Sequence, residues 1–206
     1  MAIYFLGDMH LFAKSQTNEG KENYDGRPFE TVAEMNETFL RKWNSKITNG
    51  DTVILTGDVS MRGRSDALVG LVAQLKGKKI LIKGNHDDLS DYRYTKLFDE
   101  ICDYKEMTIS FGGKAYKIVA SHYPILMWNG QHRGTILLYA HVHNSCEDAF
   151  FQKCLAEMNE SEELNLRRAG GQKILAINTG CMMPYMDYEP RTLQEMLEGV
   201  GELDAD

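Results

Sequence analysis

The sequence predicts an α/β fold in which a strand-rich β-sandwich is flanked by helices. Six short apolar runs each end in a polar or glycine-containing turn, and runs of this length are typical of buried strands. Helical patterns lie between several of these runs, and this alternation favours strands that are buried on both faces. The predicted strands are residues 2–6, 52–55, 79–82, 117–120, 136–139 and 174–177.

The segments between the strands differ in character. Residues 31–46 and 65–75 carry apolar side chains at helical spacing, which predicts two helices packed on the sheets. Residues 14–27 are polar and read as a long loop, and long loops in compact domains are often functional. We expect a helical insertion over residues 147–170 and a frayed tail over 199–206. Without a linker or an internal repeat, residues 1–206 are predicted to form one domain.

Composition narrows the class of protein. The chain has 206 residues, of which 43% are hydrophobic and 26% charged, as in ordinary globular proteins. A chain of this length can bury a full core without a disulfide or a structural metal. The net charge of −7 disfavours general nucleic-acid binding. This charge does not exclude a small phosphorylated substrate, since the positive charge of a bound metal can attract phosphate locally despite the negative potential of the whole protein.

Cysteine usage and hydropathy bear on the compartment. Cys102, Cys146, Cys154 and Cys181 form no CxxC pair and no zinc-ribbon spacing, so we expect reduced thiols. The first residues lack a basic leader and turn charged too early for a signal peptide. No stretch approaches the roughly 20 apolar residues of a membrane span. We therefore expect a cytoplasmic protein without a membrane segment, and leave its oligomeric state open.

Polar side chains follow the predicted strands, and five of the six histidines are among them. Ligands of open α/β sheets bind at the carboxyl ends of strands, so we expect these side chains to converge. The residues at these positions are Asp8, His10, Asp58, Asn85, His86, His122, His141 and His143.

These residue types suit a metal centre. Neutral imidazole suits Mn, Fe, Co, Ni and Zn, whereas carboxylate and amide oxygens favour harder ions. In extended chain, residues i and i+2 lie on one side, so Asp8 and His10 would grip one ion together, as would His141 and His143. The Asp58 carboxylate is placed to bridge two ions. Two ions ~3.5–4 Å apart suit attack of a bridging hydroxide on phosphorus.

The order of these blocks resembles a known signature. Asp-x-His, Gly-Asp, Gly-Asn-His-Asp, a later His and His-x-His follow one another as in the calcineurin-like metallophosphoesterases, over residues 3 to about 180. The resemblance implies a metallophosphoesterase-type β-sandwich flanked by helices, with two metal ions at the carboxyl ends of the strands. Mn or Fe are the expected ions, and Zn is an alternative.

The resemblance also implies roles for individual residues. His86 would not be a ligand; it would face the substrate and protonate the leaving-group oxygen, or stabilise the transition state. The first ion would be held by Asp8, His10, Asp58 and His143, and the second by Asp58, Asn85, His122 and His141.

A narrower resemblance concerns a small bacterial and phage phosphoesterase subgroup, suggested by Arg27-Pro28-Phe29 and by Ser121-His122-Tyr123-Pro124. It implies a reaction class but no substrate. Met61 stands where Ser/Thr protein phosphatases have the aspartate that orients the catalytic histidine, which counts against that activity. Asp87 and Asp88 are the nearest replacements in sequence for this aspartate; alternatively, His86 has no orienting partner, and the two aspartates cap a helix.

Three further residues are candidates for contacts with the substrate. Arg62 and Arg27 carry guanidinium groups, which match phosphate oxygens, but each is as readily explained as a solvated or helix-capping residue. His132 lies in a polar loop between two of the predicted strands, and a histidine in such a loop is more often solvated than part of a pocket.

These observations predict a metal-dependent phosphoric ester hydrolase acting on a small phosphomonoester or phosphodiester. A nuclease or a cyclic-nucleotide phosphodiesterase is the alternative, because the same ions serve both reactions. A catalytically inactive metal-binding scaffold ranks last, since His86 and all seven predicted ligands are present.

Overall fold

A computed structural model of the chain describes residues 1–61, 65–165, 168 and 171–203. Within these residues, two sheets and several helices form the α/β sandwich that the sequence predicts. The strands are β1 (Ile3–Leu6), β2 (Thr52–Leu55), β3 (Lys78–Ile82), β4 (Glu100–Cys102), β5 (Tyr104–Phe111), β6 (Lys114–Ser121), β7 (Ile136–Tyr139), β8 (Ala176–Asn178) and β9 (Arg191–Thr192).

The first sheet has the strand order β4-β3-β2-β1-β9, and only β9 runs antiparallel to its neighbour. The second sheet has the order β5-β6-β7-β8; β5 and β6 form an antiparallel hairpin, and β6, β7 and β8 are parallel. The sheets meet beyond β1 and β8, where the Gly7 amide donates to the Thr179 carbonyl at 2.8 Å. The carboxyl ends of the parallel strands of both sheets therefore face one region.

The helices begin at residues that favour helix starts. Thr31 and Ser65 accept hydrogen bonds from amides three residues ahead, and Thr192 forms a capping box with Glu195. The helices are α1 (Val32–Lys46), α2 (Asp66–Val72), α3 (Tyr92–Thr95), α4 (Cys146–Glu160), α5 (Glu162–Asn165) and α6 (Leu193–Gly199), with 3₁₀ turns at Lys14–Gln16 and Gln131–Arg133.

All four residues of strand β7 are apolar, without the alternation of a half-exposed strand, because the strand lies between two cores. Ile136 and Leu138 face the larger core, which also holds residues of the first sheet and of α1, α2 and α6. Leu137 and Tyr139 face a second core that contains Phe151 of α4. Because both faces of the strand are covered, all four side chains are buried.

The strand predictions were incomplete. The predicted strand at 117–120 lies within β6. Strand β5 and its hairpin with β6 were missed, although β5 alternates between exposed and half-buried residues and two glycines with positive φ follow it. The short strands β4 and β9 and helix α6 were missed as well. The predicted strand at 174–177 begins two residues before β8 begins and ends one residue before β8 ends, since β8 is Ala176–Asn178.

The segments predicted to be peripheral make packing contacts. Phe151 and Leu155 of α4 are buried against the second sheet. Residues 200–203 follow α6, and Val200 and Leu203 pack against the larger core. Among the described helices, none combines the length and apolar character needed to span a bilayer.

The Trp43 side chain of α1 provides a test of the packing. It is fully buried, and its indole Nε1 donates to the Lys76 carbonyl at 2.9 Å. Trp43→Ala leaves a cavity and an unpaired carbonyl, so we expect the free energy of unfolding to fall by about 3–5 kcal/mol in urea titrations. Tyr92→Ala, at a side chain that is 65% exposed, should change it by less than about 0.5 kcal/mol. Equal effects would contradict this packing.

Candidate metal centre

The register of the strands brings the polar residues to one place. Leu6 of β1 pairs with Leu55 of β2, and Leu55 pairs with Leu81 of β3. In the second sheet, Ala120 pairs with Leu138. Because neighbouring strands end level with one another, the residues that follow them lie along one edge. The residues brought together there are Asp8, His10, Asp58, Asn85, His86, His122, His141 and His143.

The backbone at these positions is not extended, so the expected basis for the Asp-x-His and His-x-His steps is wrong. His141 and His143 also fall into different donor groups and do not share one site. Asp8 and His10 have φ of 52° and 48°, and Asp58, His141 and His143 also lie in the left-handed region. This conformation costs roughly 1–3 kcal/mol for a residue other than glycine and concentrates at functional sites. The side chains converge because the chain turns sharply at each strand end.

The first group of candidate ligands is Asp8, His10 and His143, whose donor atoms lie within 4.8 Å of one another. The Nε2 atoms of the two histidines are 3.1 Å apart. The other ring nitrogen of His143 contacts a carboxylate, so Nε2 is the unprotonated atom of its neutral form. A cation between the two rings would satisfy both lone pairs.

The second group is Asp58, His122 and His141, again within 4.8 Å. His122 Nδ1 lies 2.8 Å from the Thr56 carbonyl, which can only accept, so this nitrogen carries the proton. In the neutral ring, the other nitrogen, Nε2, carries the lone pair, and it faces the Asn85 amide oxygen at 3.0 Å and an Asp58 oxygen at 3.5 Å. Three electron-pair donors that face one another in this way fit a bound cation.

Asp58 lies between the two groups. Its Oδ2 is 3.5 Å from His122 Nε2 and 3.8 Å from His10 Nε2. Its other oxygen accepts the His86 amide at 2.8 Å, which fixes the carboxylate. Gly84 approaches this carboxylate so closely that a Cβ would collide with it. The glycine before Asn85 is therefore required by the position of Asp58.

Burial shifts the protonation of the first group. Burial, with a contribution from the Asp58 charge, raises the pKa of Asp8 to about 6. Burial and the nearby Arg27 charge lower the pKa of His10 to about 2, so its ring stays neutral at ordinary pH. A neutral imidazole beside a buried carboxylate is a donor set suited to a divalent ion.

Asp25 is a functional candidate that the sequence did not identify. Its buried carboxylate lies 2.6 Å from His143 Nδ1 and pairs with Arg27 at 2.8 Å. Burial alone would raise the pKa of Asp25, but these two partners lower it below its ordinary value. A carboxylate that holds the outer nitrogen of a metal-binding histidine fixes its orientation and tautomer. The one sequence feature that could have identified Asp25 was its position in the long 14–27 loop, because such loops are often functional.

Arg27 is committed to the structure behind the centre. Its guanidinium donates to the Asp8 and Met9 carbonyls at 2.8 and 2.9 Å, in addition to Asp25. Its side chain is completely buried. These contacts leave Arg27 outside the cleft, whereas the sequence made it a candidate for contact with a phosphate.

The two aspartates that follow His86 differ in position. The Asp87 carboxylate is buried and accepts hydrogen bonds from the amides of Asp58, Val59 and Gly84 at 2.8–2.9 Å, so it connects two loops that carry candidate ligands. It faces these amides and is not placed to orient the His86 ring. Asp88 is exposed and accepts the Ser90 amide at 2.9 Å.

A cleft of about 270 Å³ opens over the two groups. The exposed His86 ring lines it, with its centroid 5.4 Å from that of His10. His132 lies elsewhere, in an exposed 3₁₀ turn, and contacts the Arg133 guanidinium. Arg62, the third candidate for contact with the substrate, lies outside the described residues. The remaining lining residues are Ser15, Gln16, Tyr24, Asp58, Met61, His141, His143 and Glu147.

Comparison with known families agrees with this arrangement. The model of the calcineurin-like phosphoesterase family matches residues 1–163, which is most of the chain. The chain therefore belongs to the calcineurin-like phosphoesterase family, and the resemblance carried by the five sequence blocks is confirmed. This membership supports a hydrolase that acts on phosphoesters with divalent metal ions.

Individual relatives add little about a substrate. An uncharacterized protein of Methanocaldococcus jannaschii, MJ1445, is 32% identical over 43% of this chain and 48% of its own length. The Gene 66 protein of Mycobacterium phage L5 is 26% identical over 55% of this chain and 66% of its own. The chain thus spans about half to two thirds of these relatives.

A similar fold occurs in a solved structure. The crystal structure of a protein of unknown function from Aquifex aeolicus, AQ665, has a TM-score of 0.61 to this chain. The similarity covers 94% of this chain and 96% of the other at 22% sequence identity. At this identity the likeness concerns the fold alone.

The contact between Asp25 and His143 can be tested by metal titration. Asp25→Asn removes the charge that fixes His143 and pairs with Arg27, so we expect Mn²⁺ affinity to fall by about 10- to 100-fold at the Asp8, His10 and His143 group. Calorimetric titration of the metal-free protein measures this change. Asp66→Asn, which alters an exposed surface ion pair, is the matched control. Unchanged affinity in Asp25→Asn would show that His143 needs no carboxylate partner.

Proposed function

We propose that this protein hydrolyses a small phosphomonoester or phosphodiester with the help of two divalent metal ions. The observation that carries the proposal is the pair of donor groups with Asp58 between them, its Oδ2 3.5–3.8 Å from a histidine of each. A carboxylate in that position can bridge two ions. Family membership supplies the reaction class.

Each ion has four candidate ligands in this proposal. Bound divalent ions would supply an activated water and neutralise charge on the phosphate oxygens. The donor set contains oxygen and imidazole nitrogen and no thiolate, which suits Mn or Fe, with Zn as an alternative. The first set is Asp8, His10, Asp58 and His143, and the second is Asp58, Asn85, His122 and His141.

His86 is the proposed general acid. Its backbone amide is fixed by Asp58, while its exposed ring lines the cleft beside the donor groups. A ring in this position can donate a proton to the oxygen of a leaving group that departs from the phosphorus. The Asp87 carboxylate holds the loop on which His86 lies, and so positions the ring indirectly.

The cleft favours a small ester over a polymer. A nuclease needs cationic side chains along the phosphate backbone, and the part of the lining that the structure describes contains no Lys or Arg. The net charge of −7 adds long-range repulsion of a polyanion. Gln16 and Tyr24 come from the 14–27 loop, which we assign a role in forming the cleft wall.

Metal dependence is the first test. Prolonged treatment with a chelator should abolish hydrolysis of nitrophenyl phosphate and of bis-nitrophenyl phosphate, because the donor groups alone cannot activate water. Added Mn²⁺ should restore more activity than Zn²⁺ or Mg²⁺. Hydrolysis is followed by nitrophenolate release, and metal content by elemental analysis. Full activity in protein that contains no metal would refute the proposal.

The second test separates a ligand from the acid. Asp58→Asn should weaken binding of both ions, because a neutral amide bridges poorly. His86→Ala should keep both ions and lower kcat by about 10²–10⁴, most strongly for alkyl esters, whose leaving groups need the proton. His132→Ala, at a histidine outside the cleft, is the matched control. Loss of metal in His86→Ala would make His86 a ligand, and equal slowing of all esters would make it a stabiliser of phosphate charge.

A further inference from the structure

An open groove of about 550 Å³ lies between the start of α4 and the residues that follow Tyr123. Its lining is mostly apolar and includes side chains from both segments, among them Pro124, Leu126, Val142 and Phe150. Phe150 is 68% exposed and Leu126 43%, so large apolar side chains face solvent here. Exposed apolar surface of this kind is typical of a binding site.

The groove is continuous with the metal centre. Glu147 lines both the cleft and the groove, and Val142 separates His141 from His143 along the chain. Tyr123 follows His122 and packs against the His141 ring, with the ring centroids 4.5 Å apart. The two segments that carry ligands in the second sheet therefore continue directly into the walls of the groove.

Exposed apolar side chains are concentrated around this region. Among the described residues, nine large hydrophobic side chains are exposed, and six of them belong to the cleft, the groove or the segment 123–127. Glu147 is the one charged side chain in the described lining of the groove. The groove thus offers no cation to a second phosphate and few polar partners to a sugar or a base. The six side chains are Tyr24, Met61, Tyr123, Leu126, Met127 and Phe150.

We propose that the ester processed at the metal centre carries an extended apolar group, an alkyl chain or an aryl ring, that binds in this groove. The inference rests on the proposed function and specifies its substrate class. A volume of about 550 Å³ falls in the range of small-molecule sites, whereas protein partners bind across broader surfaces. An occupant that begins at the metal cleft and extends along Phe150 makes use of both features.

A chain-length series tests the proposal without changing the reacting group. Methyl, butyl and hexyl esters are compared as phosphomonoesters or as nitrophenyl diesters, whichever class the manganese-loaded protein hydrolyses. Because burial of each methylene contributes about two- to fourfold, kcat/KM should rise about 30-fold or more from methyl to hexyl. A flat series with measurable turnover would overturn the apolar subsite and leave the proposed function intact.

Two variants locate the effect in the groove. Phe150→Ser and Leu126→Ser should each reduce kcat/KM for the hexyl ester about fivefold or more and change the methyl ester less than about twofold. Tyr92→Ser, at an equally exposed aromatic side chain outside the groove, is the matched control and should change neither. An equal loss on both esters, or no loss on either, would overturn the assignment.

Binding measurements separate this inference from the proposed function. The manganese-loaded protein should bind hexylphosphonate more tightly than methylphosphonate, and Phe150→Ser should remove the difference. If no ester is hydrolysed while this preference persists, the proposed function fails and the subsite stands. A second copy of the chain is the alternative occupant of the groove, and light scattering tests it by measuring molar mass in solution. If Phe150→Ser dissociates a dimer, the groove is an interface between two copies and the inference is wrong.

Discussion

The centre depends on a backbone that leaves its strands in the left-handed conformation. Five of the six residues in the two donor groups have φ between 48° and 74°, and none of them is glycine. Each such residue is held at a cost of roughly 1–3 kcal/mol, which an unstrained extended chain would avoid. An extended chain, however, would carry the donor atoms away from the strand ends. The strained turns bring donors from both sheets within reach of a common ion.

Buried polar contacts hold these turns in place before any ion binds. Asp87 joins the loops after β2 and β3 through three amides, and Arg27 secures the turn after β1 through the Asp8 and Met9 carbonyls. Asp25 connects Arg27 to His143 in the second sheet. Since each of these groups is buried, its loss would leave its own hydrogen-bond partners unpaired at considerable cost. The contacts of Asp87, Arg27 and Asp25 therefore stabilise both the fold and the positions of the candidate ligands.

The two parts of the binding region have different chemistry. In the proposed function, the donor groups and His86 act on the phosphoryl group and would determine the kind of reaction. The groove beyond Glu147 lacks positive charge in its described lining and can contribute selectivity only through apolar contact. Under the proposed function, this division would allow an acidic protein to act on a phosphoester. Bound ions would attract the phosphate locally, and the remainder of the substrate would be recognised without charge.

The sequence by itself determined the features that depend on short stretches of chain. The apolar runs at 52–55 and 136–139 match β2 and β7, and the helical pattern at 31–46 differs from α1 by one residue. The five ligand blocks are likewise local and recognisable in order. Only the tertiary structure revealed the left-handed turns and the hydrogen bonds from Arg27 to the turn after β1. The same holds for the contact of Asp25 with His143, which lie 118 residues apart in the sequence. Local sequence cannot predict such contacts, because an aspartate has the same neighbours in the sequence whether its carboxylate is buried or solvated. Its partner is decided only when the folded chain brings a distant residue next to it.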